Sequence, residues 1–284
     1  MTTAPHPVVV GVDGRPAALR AVAWAAREAD RRALPVDLVA AVPDDADPVD
    51  GARRAHADLA AARRAALASA AVVTATRIVT GRPGPALAAA GRDASLVVVG
   101  SDGEEPGEPA AVPLSSSLVV DCACPVVVVP ARWDAERHLG EVVVAVDPNE
   151  PDELRHASVG LAAAVAWSWQ RPLLVVVVLP GAHTAPAVAG ARRVFDACPA
   201  DVGSGVDVHE VLGHGDPAEQ LLDLVGPSTG LLVLGTGGLG PGPSDAVGRA
   251  VLRRARCPVA LVPGDPAAVR PLVAARTGAV AASA

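Results

Sequence analysis

VVVGVDGRP, residues Val8 to Pro16, returns as VVVAVDPNE, residues Val142 to Glu150, at an offset of 134. Two further blocks keep that interval. LVVVGSDG (Leu96 to Gly103) returns as LLVLGTGG (Leu231 to Gly238) at 135, and CPVVVVP (Cys124 to Pro130) returns as CPVALVP (Cys257 to Pro263) at 133. Three blocks in the same order at one interval are the mark of a tandem duplication. The join falls near Arg132 to Glu141, where charge returns after an apolar run. We therefore expect two units, residues 1–134 and 140–284, each of ordinary domain size.

Each unit reads as strands alternating with helices. Val8 to Val12 is an unbroken apolar run, as expected of a strand covered on both faces of a parallel sheet. Pro16 suits a first helical turn, and Arg31-Arg32 complements the far end of that helix. Strands are expected at Val36–Val42, Val72–Val79, Leu96–Val99 and Pro125–Val129, with helices at Arg53–Ala71, Pro85–Arg92 and Ser115–Cys122. The second unit repeats the order, with strands near Val142–Val146, Leu173–Leu179, Val206–Val211, Leu231–Leu234 and Val259–Val262. The fold class is α/β: two tandem Rossmann-like, doubly wound domains, each on a five-stranded parallel sheet. Ligands of such sheets sit at the C-terminal strand ends.

Composition narrows the chemistry. Of 284 residues, 51% are hydrophobic and 19% charged, which excludes a disordered polymer. All 24 basic residues are Arg, so Schiff-base chemistry and a phosphate-loop lysine are both excluded. Aromatics are only 2% and the net charge is −7, which argues against a nucleic-acid surface. The mean hydropathy of +0.35 raises the membrane question. The longest apolar helix, Ala157 to Trp169, stops at Gln170-Arg171-Pro172, short of the roughly 20 residues a span requires. No basic segment precedes an apolar one near the N-terminus, so no leader and a cytoplasmic chain are expected. Cys122, Cys124, Cys198 and Cys257 are expected to be reduced. Cys122-x-Cys124 is half a metal motif with nothing nearby to complete it, and Cys124 and Cys257 read as buried, inert thiols. HExxH, GxSxG and paired-carboxylate signatures are missing, so no catalytic residue is expected. Trp167 and Trp169, two apart near a helix end, cannot share one face: one should pack while the other marks a contact surface.

Three stretches of the first unit resemble the universal stress protein family: Val8 to Val39, Val79 to Gly103, and Ser117 to Pro130. Leu212 to Gly238 and Val247 to Pro263 carry the likeness in the second. The resemblance implies that the last strands, Pro125–Val129 and Val259–Val262, pair across a pseudo-twofold, making an intramolecular pseudo-dimer; a homodimer is a further expectation. ATP-binding members of the family carry an Asp at the end of the first strand, near adenine. They also carry a G-x2-G-x9-G-[S/T] loop after the fourth strand, around ribose and phosphates. Glycines there let backbone N–H groups approach phosphate.

Asp13 and Asp147 match the Asp, each with the alternative role of capping the following turn. Gly100-x-x-Gly103 and Gly235-x-x-Gly238 match the opening of the loop. Its closing pair is replaced by Val112-Pro113 in the first unit, where Ser115 offers a hydroxyl. In the second unit Asp245-Ala246 stands there, with Gly240, Ser244 and Gly248 close by in a shorter loop.

Charge separates the two. Gly100 to Pro130 carries Asp102, Glu104, Glu105, Glu108 and Asp121 with no Arg, a balance of −5. Gly235 to Gly264 carries Arg249, Arg253, Arg254 and Arg256 against Asp245, a balance of +3. A tandem stress-type protein that binds ATP weakly or not at all, without a metal, is therefore expected. Asp147, Gly235, Gly238, Gly240, Ser244, Gly248 and Arg249 form the favoured site. Asp13, Gly100, Gly103 and Ser115 form a weaker one. A scaffold acting through protein contacts, with no nucleotide, is the alternative.

Overall fold

The structure is a computed structural model. It describes residues 6–101, 118, 121–134, 140–181, 184–202, 205–236 and 243–263. The first half runs β1 (Val8–Gly11), α1 (Pro16–Arg31), β2 (Val36–Val42), α2 (Pro48–Ser69), β3 (Thr74–Thr80), α3 (Pro83–Gly91), β4 (Leu96–Ser101), β5 (Val126–Pro130). The second runs β6 (Val142–Ala145), α4 (Asp152–Trp169), β7 (Leu173–Leu179), α5 (Ala185–Val202), β8 (Val208–His214), α6 (Pro217–Leu224), β9 (Leu231–Gly235), α7 (Pro243–Arg254), β10 (Val259–Val262).

All ten strands join one sheet in the order β3-β2-β1-β4-β5-β10-β9-β6-β7-β8. Within each half the strands are parallel. Only at the middle does direction reverse: β5 and β10 pair antiparallel, Val259 opposite Val128 and Leu261 opposite Val126. That seam lies where the family resemblance placed it. It leaves β3 and β8 as the two outer edges, and both are short of buried side chains.

The pleat explains the valine runs. Successive side chains of a strand point to opposite faces. Val8, Val10 and Val12 accordingly join the core under α1, α2, α4 and α5, while Val9 joins the core on the other face, under α3, α6 and α7. The alanines serve helix packing. Ala21, Ala25 and Ala29 of α1, and Ala55, Ala62 and Ala66 of α2, are all buried, and their small side chains let two helices and a sheet approach closely.

Some boundaries differ from the sequence expectation. α2 begins at Pro48 rather than Arg53, because Asp47 caps it by accepting from the Val49 and Asp50 N–H groups at 3.0 and 2.8 Å, with Pro48 at the first helical position. α3 likewise starts at Pro83, and β8 spans Val208–His214. Most of the expected Ser115–Cys122 helix lies outside the described residues.

Candidate strand-end sites

In both halves the place where a ligand of such a sheet is expected lies beyond the C-terminal ends of two neighbouring strands. β1 and β4 end at Gly11 and Ser101; β6 and β9, paired from Val142–Leu231 to Ala145–Leu234, end at Ala145 and Gly235. The chain leaves β1 through Val12-Asp13-Gly14 and β6 through Val146-Asp147-Pro148.

The two Asp residues behave alike. The Arg15 N–H donates to Asp13 Oδ1 at 3.0 Å, and the Asn149 N–H donates to Asp147 Oδ1 at 2.9 Å. The Asn149 side-chain amide adds a 3.0 Å bond to the same oxygen. Both side chains are exposed, and each closes its own turn with one oxygen.

Behind these turns the halves diverge. Gly14 sits at φ +77°, and a Cβ on it would fall 2.7 Å from Cγ of Asp58, so a second carboxylate from α2 backs the first of these turns. Gly100 touches the first turn of α1: a Cβ there would lie 2.6 Å from the Ala18 backbone nitrogen. Its missing side chain is thus used to dock α1 on β4. Gly103 and Ser115, with the acidic stretch from Asp102 to Glu108 and Val112-Pro113, lie outside the described residues.

In the second half the space above Gly235 is occupied by side chains instead. A Cβ on Gly235 would stand 2.8 Å from Glu150 Oε2, 3.1 Å from Leu154 Cγ and 3.1 Å from Ser158 Oγ. Glu150 belongs to the turn after β6, Leu154 and Ser158 to α4. Ser158 is fully buried, and its Oγ, Glu150 Oε1 and Arg155 Nε are buried atoms without hydrogen-bond partners. Arg155 spends its Nη1 on Asp152, 2.6 Å away. Burial pushes the Glu150 carboxyl up to about 8, with help from the Asp147 charge and against the pull of Arg155. At neutral pH Glu150 is therefore mainly a neutral acid, able to donate a hydrogen bond from its carboxyl beside Gly235.

The structure thus brings Asp147, Glu150 and Gly235 together. Gly248 and Arg249 lie in the second turn of α7, with open space around Gly248. Ser244 is in the first turn of α7, its side chain outside the described residues, as are Gly238 and Gly240. The arginine excess is smaller in effect than in count. Arg254 forks onto Glu219 of α6, with Nη1 on Oε1 and Nη2 on Oε2 at 3.1 Å, and each partner holds the other in its charged form. In the sequence Glu150 is only the last residue of the second copy of the repeated block; that it turns inward over Gly235 needed the three-dimensional register.

Among the described residues no group of three or more His, Cys, Asp or Glu could hold a metal ion. Nor is any described helix long and apolar enough to cross a membrane.

The family model described as the universal stress protein family matches residues 5–130. A universal stress protein of Mycobacterium bovis is 30% identical over 315 aligned positions, covering 92% of this chain and 96% of its own length. One from Mycobacterium tuberculosis is 34% identical over 177 positions, covering 60% of this chain and 64% of that protein. Among solved structures, a universal stress protein from Archaeoglobus fulgidus superposes with a TM-score of 0.72 at 15% identity, covering 91% of this chain and 98% of that one, a likeness of fold.

Proposed function

We propose that this chain, which belongs to the universal stress protein family, binds an adenine nucleotide weakly in its second half and works through the bound state, not through turnover. The halves act as an intramolecular pseudo-dimer across the β5–β10 seam, within a cytoplasmic chain that also forms homodimers. The observation that carries the reading is the acid over Gly235. In the first half Asp58 stands beside Gly14, next to Asp13 in the chain, and Gly100 is covered by α1, so the described residues there offer a phosphate carboxylates and a glycine already used for packing. In the second, Gly235 faces a carboxyl that is mainly neutral at pH 7 and a buried hydroxyl without a partner.

A phosphate there gains a donor while Glu150 holds its proton and meets a like charge once it is lost. At about 4 Å and an effective dielectric constant of about 20, that charge costs about 4 kcal/mol, enough to make the protonated form the one that binds. ATP affinity, measured by isothermal titration, should therefore fall about tenfold from pH 7 to pH 9. Glu150→Gln should bind equally at both. Equal affinity of the natural chain at the two pH values would overturn the assignment of the phosphate to this site.

A scaffold that binds no nucleotide is the second reading, favoured by the engagement of both Asp13 and Asp147 in their own turns. Mass spectrometry of small molecules released on denaturing the purified protein separates the two. Adenine nucleotide near one equivalent supports binding; its absence, with no binding in the titration, supports the scaffold.

A further inference from the structure

The strand-end site leaves one reactive cluster unused. Cys122 and Cys124 flank the entrance to β5, and their sulfur atoms lie 3.6 Å apart within hydrogen-bonding distance. The chain bends at residues 123 and 124, between a helical turn at Asp121 and the strand. Both thiols rest on the C-terminal end of α3, where a Cβ on Gly91 would fall 2.9 Å from Cys122 Sγ and 3.5 Å from Cys124 Sγ. We propose that Cys122 and Cys124 form a dithiol site that reduces a hydroperoxide and closes to an intramolecular disulfide at the entrance to the seam strand.

The chain contains its own control. Cys257 occupies in the second half the place of Cys124 in the first, 133 residues earlier, and the counterpart of Cys122 is Ala255. Cys257 is fully buried, and burial pushes its thiol up to about 12, which leaves it protonated and inert. Cys122 differs in both chemistry and access. The Cys124 thiol and the backbone N–H groups at Cys124 and Ala123 hold its thiol below the ordinary value, against burial and the charge of Asp121. It keeps 5% of its surface exposed where Cys257 keeps none. The resolving thiol of Cys124 is already in contact. The proposed bond requires the separation of 3.6 Å to shrink to about 2.05 Å across a bend of one intervening residue.

The chemistry balances with a hydroperoxide as oxidant. The Cys122 thiolate attacks one peroxide oxygen; the S–O bond forms as the O–O bond breaks, and the departing oxide takes the proton lost by the thiol. Cys122 is then a sulfenic acid. The Cys124 sulfur attacks the sulfenic sulfur, the S–S bond forms and the S–O bond breaks, and the hydroxyl leaves as water with the Cys124 proton. Two electrons pass from two thiols to the O–O bond. With hydrogen peroxide the products are one disulfide and two waters.

The full chain, reduced and freed of reductant, is treated with hydrogen peroxide while folded, and its thiols are then counted after denaturation. The count should fall from four to two, the intact mass should fall by two hydrogen atoms, and peptide mapping should find the bond between Cys122 and Cys124. Cys257→Ala should keep the reaction, falling from three thiols to one. Cys122→Ser should lose disulfide formation. A count that stays at four, a bond to Cys198 or Cys257, or an unlinked Cys122 oxidised further while Cys124 remains a thiol would each overturn the proposal. Because the natural chain and Cys257→Ala already decide it, poor folding of Cys122→Ser would not rescue the idea.

Discussion

Glu28→Ala should lower the unfolding free energy by about 3–5 kcal/mol, the range found when one partner of a buried ion pair is removed. Glu28 of α1 is 1% exposed, and three groups that contact its carboxyl explain why it is tolerated there. Arg32, one turn on and also buried, donates its Nε to Glu28 Oε1 at 2.5 Å, and its Nη2 forms an ion-pair contact, not a hydrogen bond, with the same oxygen. Trp169, at the end of α4 in the other half, donates its indole N–H to Glu28 Oε2 at 2.7 Å. Arg31 lies 5.4 Å over the ring of the same Trp and 3.7 Å from Glu28 Oε2.

Without the carboxylate, the Arg32 charge and the indole N–H are both left in a dry setting. The melting temperature should fall by at least about 6 °C at the 2–4 °C per kcal/mol typical of large domains. Trp169→Phe should cost less, about 1.5–3 kcal/mol, since it removes a single bond to a charged acceptor. In a double-mutant cycle by denaturant unfolding, the two should be non-additive by at least about 0.5 kcal/mol. Full additivity would mean that the link between the halves carries no energy. A contrasting variant, Glu28→Leu with Arg32→Met, should recover most of the ion-pair loss, because apolar replacements of a buried pair are often neutral.

That link had no signature in the sequence. Its partners are 141 residues apart, and helix periodicity places Glu28 and Trp169 only on their own helices. The duplication, the alternation of elements and the valine strands were legible because they are local patterns, repeated. That only one of Trp167 and Trp169 packs was also legible, though not which: Trp167 is 57% exposed and Trp169 packs. Trp133 was not, since it falls in the charged join yet is 1% exposed, with its carbonyl accepting from Arg20 Nη1 at 2.8 Å. Counting charges along the chain singled out the second site, but the count gave Arg254 the same weight as its neighbours, whereas Glu219 on another helix already engages it. Long-range pairing of this kind depends on tertiary register, which periodicity does not encode.

Glu150→Gln should change the pH dependence of stability more than stability itself at low pH. The Glu150 carboxyl is near 8 in the folded chain and near its ordinary 4.5 when unfolded. Between those values the folded state holds a proton that the unfolded state has released. Stability is therefore greatest below about pH 4.5 as far as this group is concerned, falls as pH rises, and stops falling once pH passes about 8. Glutamine cannot titrate and occupies nearly the same volume beside Leu154 and Ser158. The variant should match the natural chain near pH 5 and exceed it near pH 8, by on the order of 3 kcal/mol after allowing for partial solvent contact. Asp147, Arg155 and Asp152 are present in both proteins, so the difference between the two curves isolates residue 150. Urea unfolding at pH 5, 6.5 and 8 measures it directly. Parallel curves would show that Glu150 ionises freely in the folded chain, and an acid so hydrated could neither sit over Gly235 nor gate a phosphate there. Curves that diverge as pH rises, together with ATP affinity that falls over pH 7 to 9 only in the natural chain, would tie the cost of ionising Glu150 to the ligand it admits.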